Sequence, residues 1–289
     1  MGTLHLVATP IGNLEDVTLR ALRVLREADV VLAEDTRRTR ILLDRHGIPA
    51  RPRALHAHNE AAREREVLAA LGEGREVALV SDAGTPLVSD PGQRLVAAAL
   101  RAGHRVEPVP GASALLAALT ASGLATARFA FLGFLPRRAG QRASLLEAYR
   151  GRPETLVLFE SPRRIAATLR ALADALGERP AAVARELTKL HEEVARGTLG
   201  ELAERFAAGA RGEITVVVGG AQIGDRQEAR DGALGIERRV AALAARGLRA
   251  REIAQALAGE SELSKREIYR LAAAAIGRSG TGIPGNQRT

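Results

Sequence analysis

Four consecutive apolar residues, Val77-Ala78-Leu79-Val80, run directly into Ser81-Asp82-Ala83-Gly84-Thr85-Pro86-Leu87-Val88-Ser89-Asp90-Pro91-Gly92, and a helical pattern follows from Gln93 to Arg101. A strand that feeds a loop dense in Gly, Pro, Asp and Ser, with a helix behind it, is the unit from which open α/β sheets are built. Such sheets bind ligands outside the carboxyl ends of their strands. The small residues of this loop allow a ligand to reach main-chain N–H groups. Its two carboxylates can accept from hydroxyls or amines.

The same alternation runs through the first half of the chain. Strands are expected at Leu4 to Ala8, Asp29 to Ala33, near Leu55, at Val77 to Val80 and at Arg105 to Val109. Helices are expected where Leu19, Leu22 and Leu25 recur at helical spacing, from Arg37 to His46 with Gly47 as its stop, from Asn59 to Leu71 and after Pro110-Gly111-Ala112-Ser113-Ala114. A βαβα rhythm implies a largely parallel sheet. A boundary falls near residues 122 to 128. Beyond it, strand patterns at Arg128 to Gly133, Thr155 to Glu160, Ala181 to Arg185, Glu192 to Arg196 and Glu213 to Gly219 mix hairpin-like and crossover connections. After Gly219-Gly220 the strand signal ends. Residues 221–235 read as a linker. Three helical segments follow, Ile236 to Arg246, Ala250 to Ala258 and one opened by the capping-box pattern Ser264-Lys265-Arg266-Glu267. The expected divisions are therefore 1–122, 123–220, a helical extension over 221–276, and a glycine-rich, disordered tail over 277–289.

Composition excludes several classes. The chain has no cysteine, so disulfides, thiolate nucleophiles and Cys-ligated metals are absent. No apolar run approaches a bilayer span, and Met1 to Leu6 reads as a first strand and not as a signal peptide, which makes cytoplasm the default compartment. Net charge is +8, and lysine occurs only at Lys189 and Lys265, so 40 of the 42 basic residues are arginine. Excess positive charge draws in polyanions and makes their binding salt-dependent. Aromatic residues make up only 2% of the chain, which argues against a base-stacking platform and leaves arginine and shape to contact nucleic acid.

Neither G-x-G-x-x-G nor G-x-x-x-x-G-K-[ST] occurs, so a dinucleotide or P-loop site has no support. His56 and His58 lack a third ligand, and no metal is expected. The start of the helix after Pro110 to Ala114 offers N–H groups to a polar ligand edge. Three basic clusters follow strand ends: Arg37, Arg38 and Arg40 after Glu34-Asp35; Arg137, Arg138 and Arg142 after Phe131 to Pro136; and Arg163-Arg164 after Glu160-Ser161-Pro162. Each reads either as a solvated face or as phosphate contact, and together they favour a phosphate-bearing polymer at the mouth of one cleft.

Ala8-Thr9-Pro10-Ile11-Gly12-Asn13-Leu14, Ala33-Glu34-Asp35-Thr36-Arg37, Leu55-His56-Ala57-His58-Asn59-Glu60, the two loops above, Gly133-Phe134-Leu135-Pro136-Arg137, Phe159-Glu160-Ser161-Pro162-Arg163-Arg164, the stretch Arg185 to Glu193 and Gly212-Glu213-Ile214 together form a pattern. It resembles the ribosomal RNA small-subunit methyltransferase I family, within the tetrapyrrole (corrin/porphyrin) methylase superfamily, over about residues 3 to 220. Leu263 to Tyr269 resembles that family's C-terminal extension. The resemblance implies two α/β domains of the tetrapyrrole methylase type with an active-site cleft between them, a homodimer, S-adenosyl-L-methionine as cofactor, and 2′-O-methylation of a cytidine in the decoding region of 16S rRNA in the small ribosomal subunit. It carries cofactor contacts to Ser81, Asp82, Ala83, Gly84, Thr85, Pro86, Ala112, Ala114, Leu132 and Ile214. Where the wider superfamily has a glycine-rich first loop, this chain has Thr9 to Asn13, which lowers the odds of a tetrapyrrole substrate.

A ribose hydroxyl is a poor nucleophile, so a base or a charge that stabilises the alkoxide should help. Asp35 and Glu34 are the candidate bases, with His58 and Lys189 behind them; Lys189 could instead stabilise the oxyanion. Arg37, Arg38, Arg137, Arg138, Arg163 and Arg164 are the candidate RNA contacts. Two rivals stay open. One is a small-molecule methylase acting on a tetrapyrrole. The other is a nucleic-acid-binding regulator, because Gly247 to Ala254 followed by Ser264 to Leu271 has helix-turn-helix spacing and residues 221–289 carry 12 basic and 8 acidic residues.

Overall fold

The computed structural model describes residues 2–56, 59–221, 236–257 and 263–279. Contacts divide the chain into two units, Met1–Glu147 with Pro153–Gly220, and Ala148–Arg152 with Ala221–Thr289. The first unit holds two five-stranded sheets.

The first sheet is parallel, in the order β3-β2-β4-β1-β5. Its strands are β1 (Thr3–Val7), β2 (Val30–Ala33), β3 (Arg53–Ala54), β4 (Val77–Val80) and β5 (Arg105–Val109). Because side chains alternate across a strand, the four apolar residues of β4 feed two cores. Ala78 and Val80 join Val7 and Val31 beneath α1 (Leu19–Glu27) and α2 (Thr36–Arg45). Val77 and Leu79 join Leu4 and Leu32 beneath α3 (Glu60–Gly72) and α4 (Gln93–Arg101). Helices thus cover both faces, as the near-continuous apolar strands require.

The buried stripe of α1 is Ala21, Val24 and Leu25, whereas Leu19 is 86% exposed. Sequence spacing pointed to Leu19, Leu22 and Leu25. The i, i+3, i+4 pattern that packs includes a small alanine, while Leu19 stands at the helix start behind the Thr18 cap. Gly47 adopts φ +61° after α2, as a C-terminal stop should.

The helix α5 (Ala114–Ala121) leads from the first sheet to the second. It buries Leu115, Ala118 and Leu119 against Val157, Ala182, Ala184 and Val217. The second sheet has the order β6-β7-β10-β8-β9. Its strands are β6 (Phe129–Phe134), β7 (Thr155–Glu160), β8 (Pro180–Arg185), β9 (Glu193–Thr198) and β10 (Ile214–Val218). Only β6 and β7 pair in parallel; the other pairs are antiparallel. Helices α6 (Ala139–Glu147), α7 (Ile165–Leu176) and α8 (Leu199–Arg205) complete this half.

The second unit contains α9 (236–245), α10 (Ala250–Ala256) and α11 (Lys265–Ser279) around Ile236, Val240, Ile253, Leu257, Ile268 and Ala272. The expected capping box forms: Ser264 N–H donates to Glu267 Oε2 at 2.8 Å and Glu267 N–H donates to Ser264 Oγ at 3.3 Å. Residues 277–279 were expected to begin a disordered tail and instead form the end of α11. The alanine-rich turn before them propagates the helix past Gly277, whose cost is only about 1 kcal/mol. Most of the expected linker, 222–235, and residues 280–289 lie outside the described residues. Among the described residues no helix is long and apolar enough to cross a membrane.

Candidate active site

In the first sheet β4 lies between β2 and β1, and the chain later crosses to place β5 on the other side of β1. The loops after β1 and β4 therefore leave the sheet side by side at a point where the winding reverses, the position such sheets use for ligands. Two hydrogen bonds join these loops: Thr9 N–H donates to Gly84 O at 2.9 Å, and Gly84 N–H donates to Thr9 O at 3.0 Å. Gly84 has φ +92°, and a Cβ there would lie 3.2 Å from Ile11 Cγ2, so glycine suits both the turn and the close approach. Thr9 Oγ1 also donates to Ser81 O at 2.9 Å. Ser81 Oγ donates to the Asp90 carboxylate and accepts from Ala83 N–H at 3.1 Å. The loop thus folds back on itself as a rigid hairpin.

Two cavities open against it. The larger, of about 400 Å³, has apolar walls that include Ile11, Phe134, Phe159 and Ile214, and an acidic side formed by Glu34, Asp82 and Asp90. Its aromatic wall is ordered by contact between rings, with centroids of Phe131 and Phe159 5.0 Å apart and of Phe134 and Phe159 5.8 Å apart. The smaller, of about 230 Å³, is a groove lined by Thr9 to Gly12, by one face of α2 and by Lys189. Ile11, Arg38, Asp82, Ala83 and Glu213 line both.

Four non-glycine residues among those described have positive φ: Leu87 (70°), Ser89 (68°), Glu186 (51°) and Thr188 (65°). All four lie in the loops at these cavities. Left-handed backbone in such residues is costly and persists where surrounding structure imposes it, which it often does at functional sites. Thr188 Oγ1 accepts from Asn13 N–H at 2.9 Å, tying the loop after β8 to the loop after β1. Gly212 has φ +84°, and a Cβ there would meet Glu186 Oε1 at 2.0 Å.

The predicted site residues divide. Asp82, Ala83, Ala114 and Ile214 line the larger cavity. Ser81 lines the groove. Gly84 and Pro86 are buried in the hairpin, and Thr85 Oγ1 donates to Ala112 O at 3.4 Å, joining the two predicted loops. Leu132 lies in the irregular part of β6 between Phe131 and Phe134. At the start of α5, Ser113 Oγ accepts from Leu116 N–H, which occupies one of the N–H groups expected to face a ligand. Glu34 also lines the larger cavity, where burial, then the charges of Asp82 and Asp90, raise its pKa. Burial likewise raises Asp90, against the hydrogen bond from Ser81.

Asp35 lies elsewhere. It caps α2, and its carboxylate accepts from the backbone N–H of Arg37 at 2.9 Å and from its guanidinium at 3.0 and 2.7 Å. These bonds hold it far below the usual carboxylate range. Both carboxylate oxygens are thus committed to Arg37. The Lys189 ammonium donates to Glu186 at 2.9 Å and to Glu213 at 3.2 Å. Burial would lower its pKa, but the Glu186 hydrogen bond and the Glu213 charge outweigh burial and raise it. Lys189 therefore stays cationic. Arg38 borders both cavities and pairs with Glu213 at 3.4 Å. Arg137, Arg138 and Arg163 are exposed. Arg164 turns inward, donating to Leu135 O at 3.1 Å beside the buried Glu160. His58 lies outside the described residues. Among the described residues no cluster could hold a metal.

Sequence reasoning passed over Val88, Phe134, Phe159, Leu187 and Glu213 as wall residues. A usable signal existed for the aromatics, since three of the chain's five phenylalanines fall in Phe129 to Phe134.

The sequence profile of the tetrapyrrole (corrin/porphyrin) methylases matches residues 3–203. A protein of Mesorhizobium japonicum named ribosomal RNA small subunit methyltransferase I is 58% identical over 76% of this chain and 76% of its own length. The protein of the same name from Micromonospora olivasterospora is 48% identical over 96% and 89%. The chain belongs to the ribosomal RNA small subunit methyltransferase I family. Among solved structures, a uroporphyrin-III C-methyl transferase from Thermus thermophilus complexed with S-adenyl homocysteine superposes with a TM-score of 0.55 at 26% identity, covering 75% of this chain and 97% of that one. A diphthine synthase superposes with a TM-score of 0.61 at 19% identity, over 79% and 94%, and shares the fold. The chain carries the doubly covered parallel sheet and, later in sequence, the helical unit α9 to α11.

The larger cavity suits the methyl donor of this family. Its apolar and aromatic walls match a purine, while Glu34, Asp82 and Asp90 offer acceptors to ribose hydroxyls and to positive charge.

Proposed function

We propose that this chain transfers a methyl group from S-adenosylmethionine to the ribose 2′-hydroxyl of a cytidine in the decoding region of 16S rRNA, acting in the cytoplasm as a homodimer on the small ribosomal subunit. The observation that carries the reading is the shared wall: a donor-sized cavity and a cation-lined groove meet across Ile11, Arg38, Asp82, Ala83 and Glu213. The relatives' name, ribosomal RNA small subunit methyltransferase I, supports the RNA substrate. The product-bound neighbour supports the cofactor.

When bound, S-adenosylmethionine supplies an electrophilic methyl carbon on a sulfonium. Asp82, Ala83, Ala114 and Ile214 hold it, with Phe134 and Phe159 excluding water from one side. Ser81, Gly84, Thr85, Pro86, Ala112 and Leu132 fix the shape of that pocket. The groove receives the target nucleotide, and alignment of acceptor with donor supplies much of the acceleration. Lys189 and Arg38 place positive charge where an alkoxide develops. Arg137, Arg138 and Arg163 meet phosphates further out. The groove's small volume and charged lining favour a nucleotide over a tetrapyrrole, which needs a large apolar trough.

The test incubates the purified protein and labelled donor with 30S subunits or with uroporphyrinogen III, then maps label by mass spectrometry. A ribose methyl on one 16S cytidine is expected. Label on a base, or on uroporphyrinogen alone, overturns the reading.

A further inference from the structure

Transfer to a hydroxyl needs the acceptor oxygen at the boundary between donor cavity and groove, and a base must reach that boundary from the acceptor side. Among the described residues five carboxylates line the two cavities, Glu34, Asp82, Asp90, Glu160 and Glu213, and of these only Asp82 and Glu213 line both. Asp82 belongs to the donor side, since it stands in the rigid donor hairpin and its Oδ1 is held by the Asp35 amide at 2.7 Å. Glu213 stands on the rim with its side chain 52% exposed. Its two oxygens face opposite cations, Oε1 toward Arg38 at 3.4 Å and Oε2 toward Lys189 at 3.2 Å. Its backbone is fixed as well: Glu213 N–H donates to Glu186 Oε1 at 3.1 Å, and Glu186 N–H donates to Glu213 O at 3.1 Å. A carboxylate oxygen has two acceptor positions, so each oxygen of Glu213 keeps one after its ion pair.

Resting on the function proposed above, we infer that Glu213 is the general base that contacts the acceptor 2′-hydroxyl, with Arg38 and Lys189 orienting it. The hydroxyl proton passes to a Glu213 oxygen as the ribose oxygen forms its bond to the methyl carbon. The carbon–sulfur pair leaves with sulfur, giving a neutral thioether. The proton on Glu213 returns to water through the exposed side of the residue. Once Glu213 is protonated, Lys189 loses one of its two counter-charges and is free to stabilise the nearby oxygen. The ion pairs therefore do double duty, holding the base in the resting protein and releasing a cation as charge moves.

The test reads binding as well as rate. 30S subunits are reconstituted with 16S RNA carrying either cytidine or 2′-deoxycytidine at the position the parent protein methylates, and affinity is measured without donor. A hydrogen bond from the hydroxyl to a carboxylate gives the parent about a tenfold preference for the ribose form. Glu213→Ala should erase that preference. Glu213→Gln should bind 30S and donor within about threefold of the parent, yet lose roughly 10²- to 10⁴-fold in single-turnover methylation, the usual contribution of a general base. A parent blind to the 2′-hydroxyl, a preference that survives in Glu213→Ala, or near-parental methylation by Glu213→Gln overturns the assignment. If the parent itself places no methyl on ribose, the broader functional reading fails instead.

Discussion

Arg164 gives the sharpest test of whether an arginine of this chain is structural or contacts RNA. Its guanidinium donates to Leu135 O at 3.1 Å and lies 3.4 Å from Glu160 Oε2. The Glu160 side chain is 0% exposed and that of Arg164 27% exposed. Arg164→Ala removes one partly buried hydrogen bond, about 1 kcal/mol. It also leaves a buried carboxylate without its counter-charge. Breaking a fully buried pair costs about 3–5 kcal/mol. The long contact, the partial exposure of Arg164 and the remaining donors to Glu160, Ser161 N–H at 2.7 Å and the Thr168 hydroxyl, reduce that share to roughly 2 kcal/mol. The total is about 3 kcal/mol, equivalent to a fall of roughly 6–12 °C in the melting midpoint for a unit of this size. Circular dichroism melts read the shift, and filter binding to 30S subunits across a salt series reads the RNA contact. Glu160→Gln combined with Arg164→Met should recover part of the loss, because the stranded charge is gone. A midpoint within about 2 °C of the parent together with a shallower salt slope would refute the reasoning and make Arg164 a phosphate reader.

Arg137→Gln with Arg138→Gln should leave the melt unchanged and reduce the salt slope of RNA binding by roughly 1.5, since both side chains are exposed; an unchanged slope removes them from the interface. Gly212→Ala forces a side chain into φ +84° and against Glu186, so it should cost about 1–2 kcal/mol and weaken donor binding by calorimetry. Parental donor affinity would show that Glu186 yields freely. Glu34 has a raised folded-state pKa, so the folded chain keeps a proton that the unfolded chain has lost, and this group's contribution to stability falls as pH rises through that window. The urea midpoint of Glu34→Gln relative to the parent should therefore rise across the weakly acidic range, and a difference independent of pH contradicts the shift.

Local chemistry made much of this fold legible. The run Val77 to Val80, the turn residues of 81–92, the stop at Gly47 and the Ser264/Glu267 box each act within a few residues, where sequence neighbours are also spatial neighbours. The site was less readable because its contacts are distant in sequence. Arg38 and Glu213 are 175 positions apart, so their pairing leaves no local trace. Asp35 illustrates an ambiguity of residue type: an acidic residue at a strand end resembles a base, and the same position is where a helix wants an N-cap, a role its side chain fills. The strained φ of Leu87 and Ser89 is likewise imposed by their surroundings and not announced by residue type.

The paired amides and carbonyls of Thr9 and Gly84 have a bearing on access. Parting those two loops would break both hydrogen bonds and expose four backbone groups that the fold has taken out of water. That side of the site behaves as a fixed jaw. Any ligand passing in or out must then be accommodated by the opposite side, where long side chains joined through ion pairs can swing aside without unzipping any main chain.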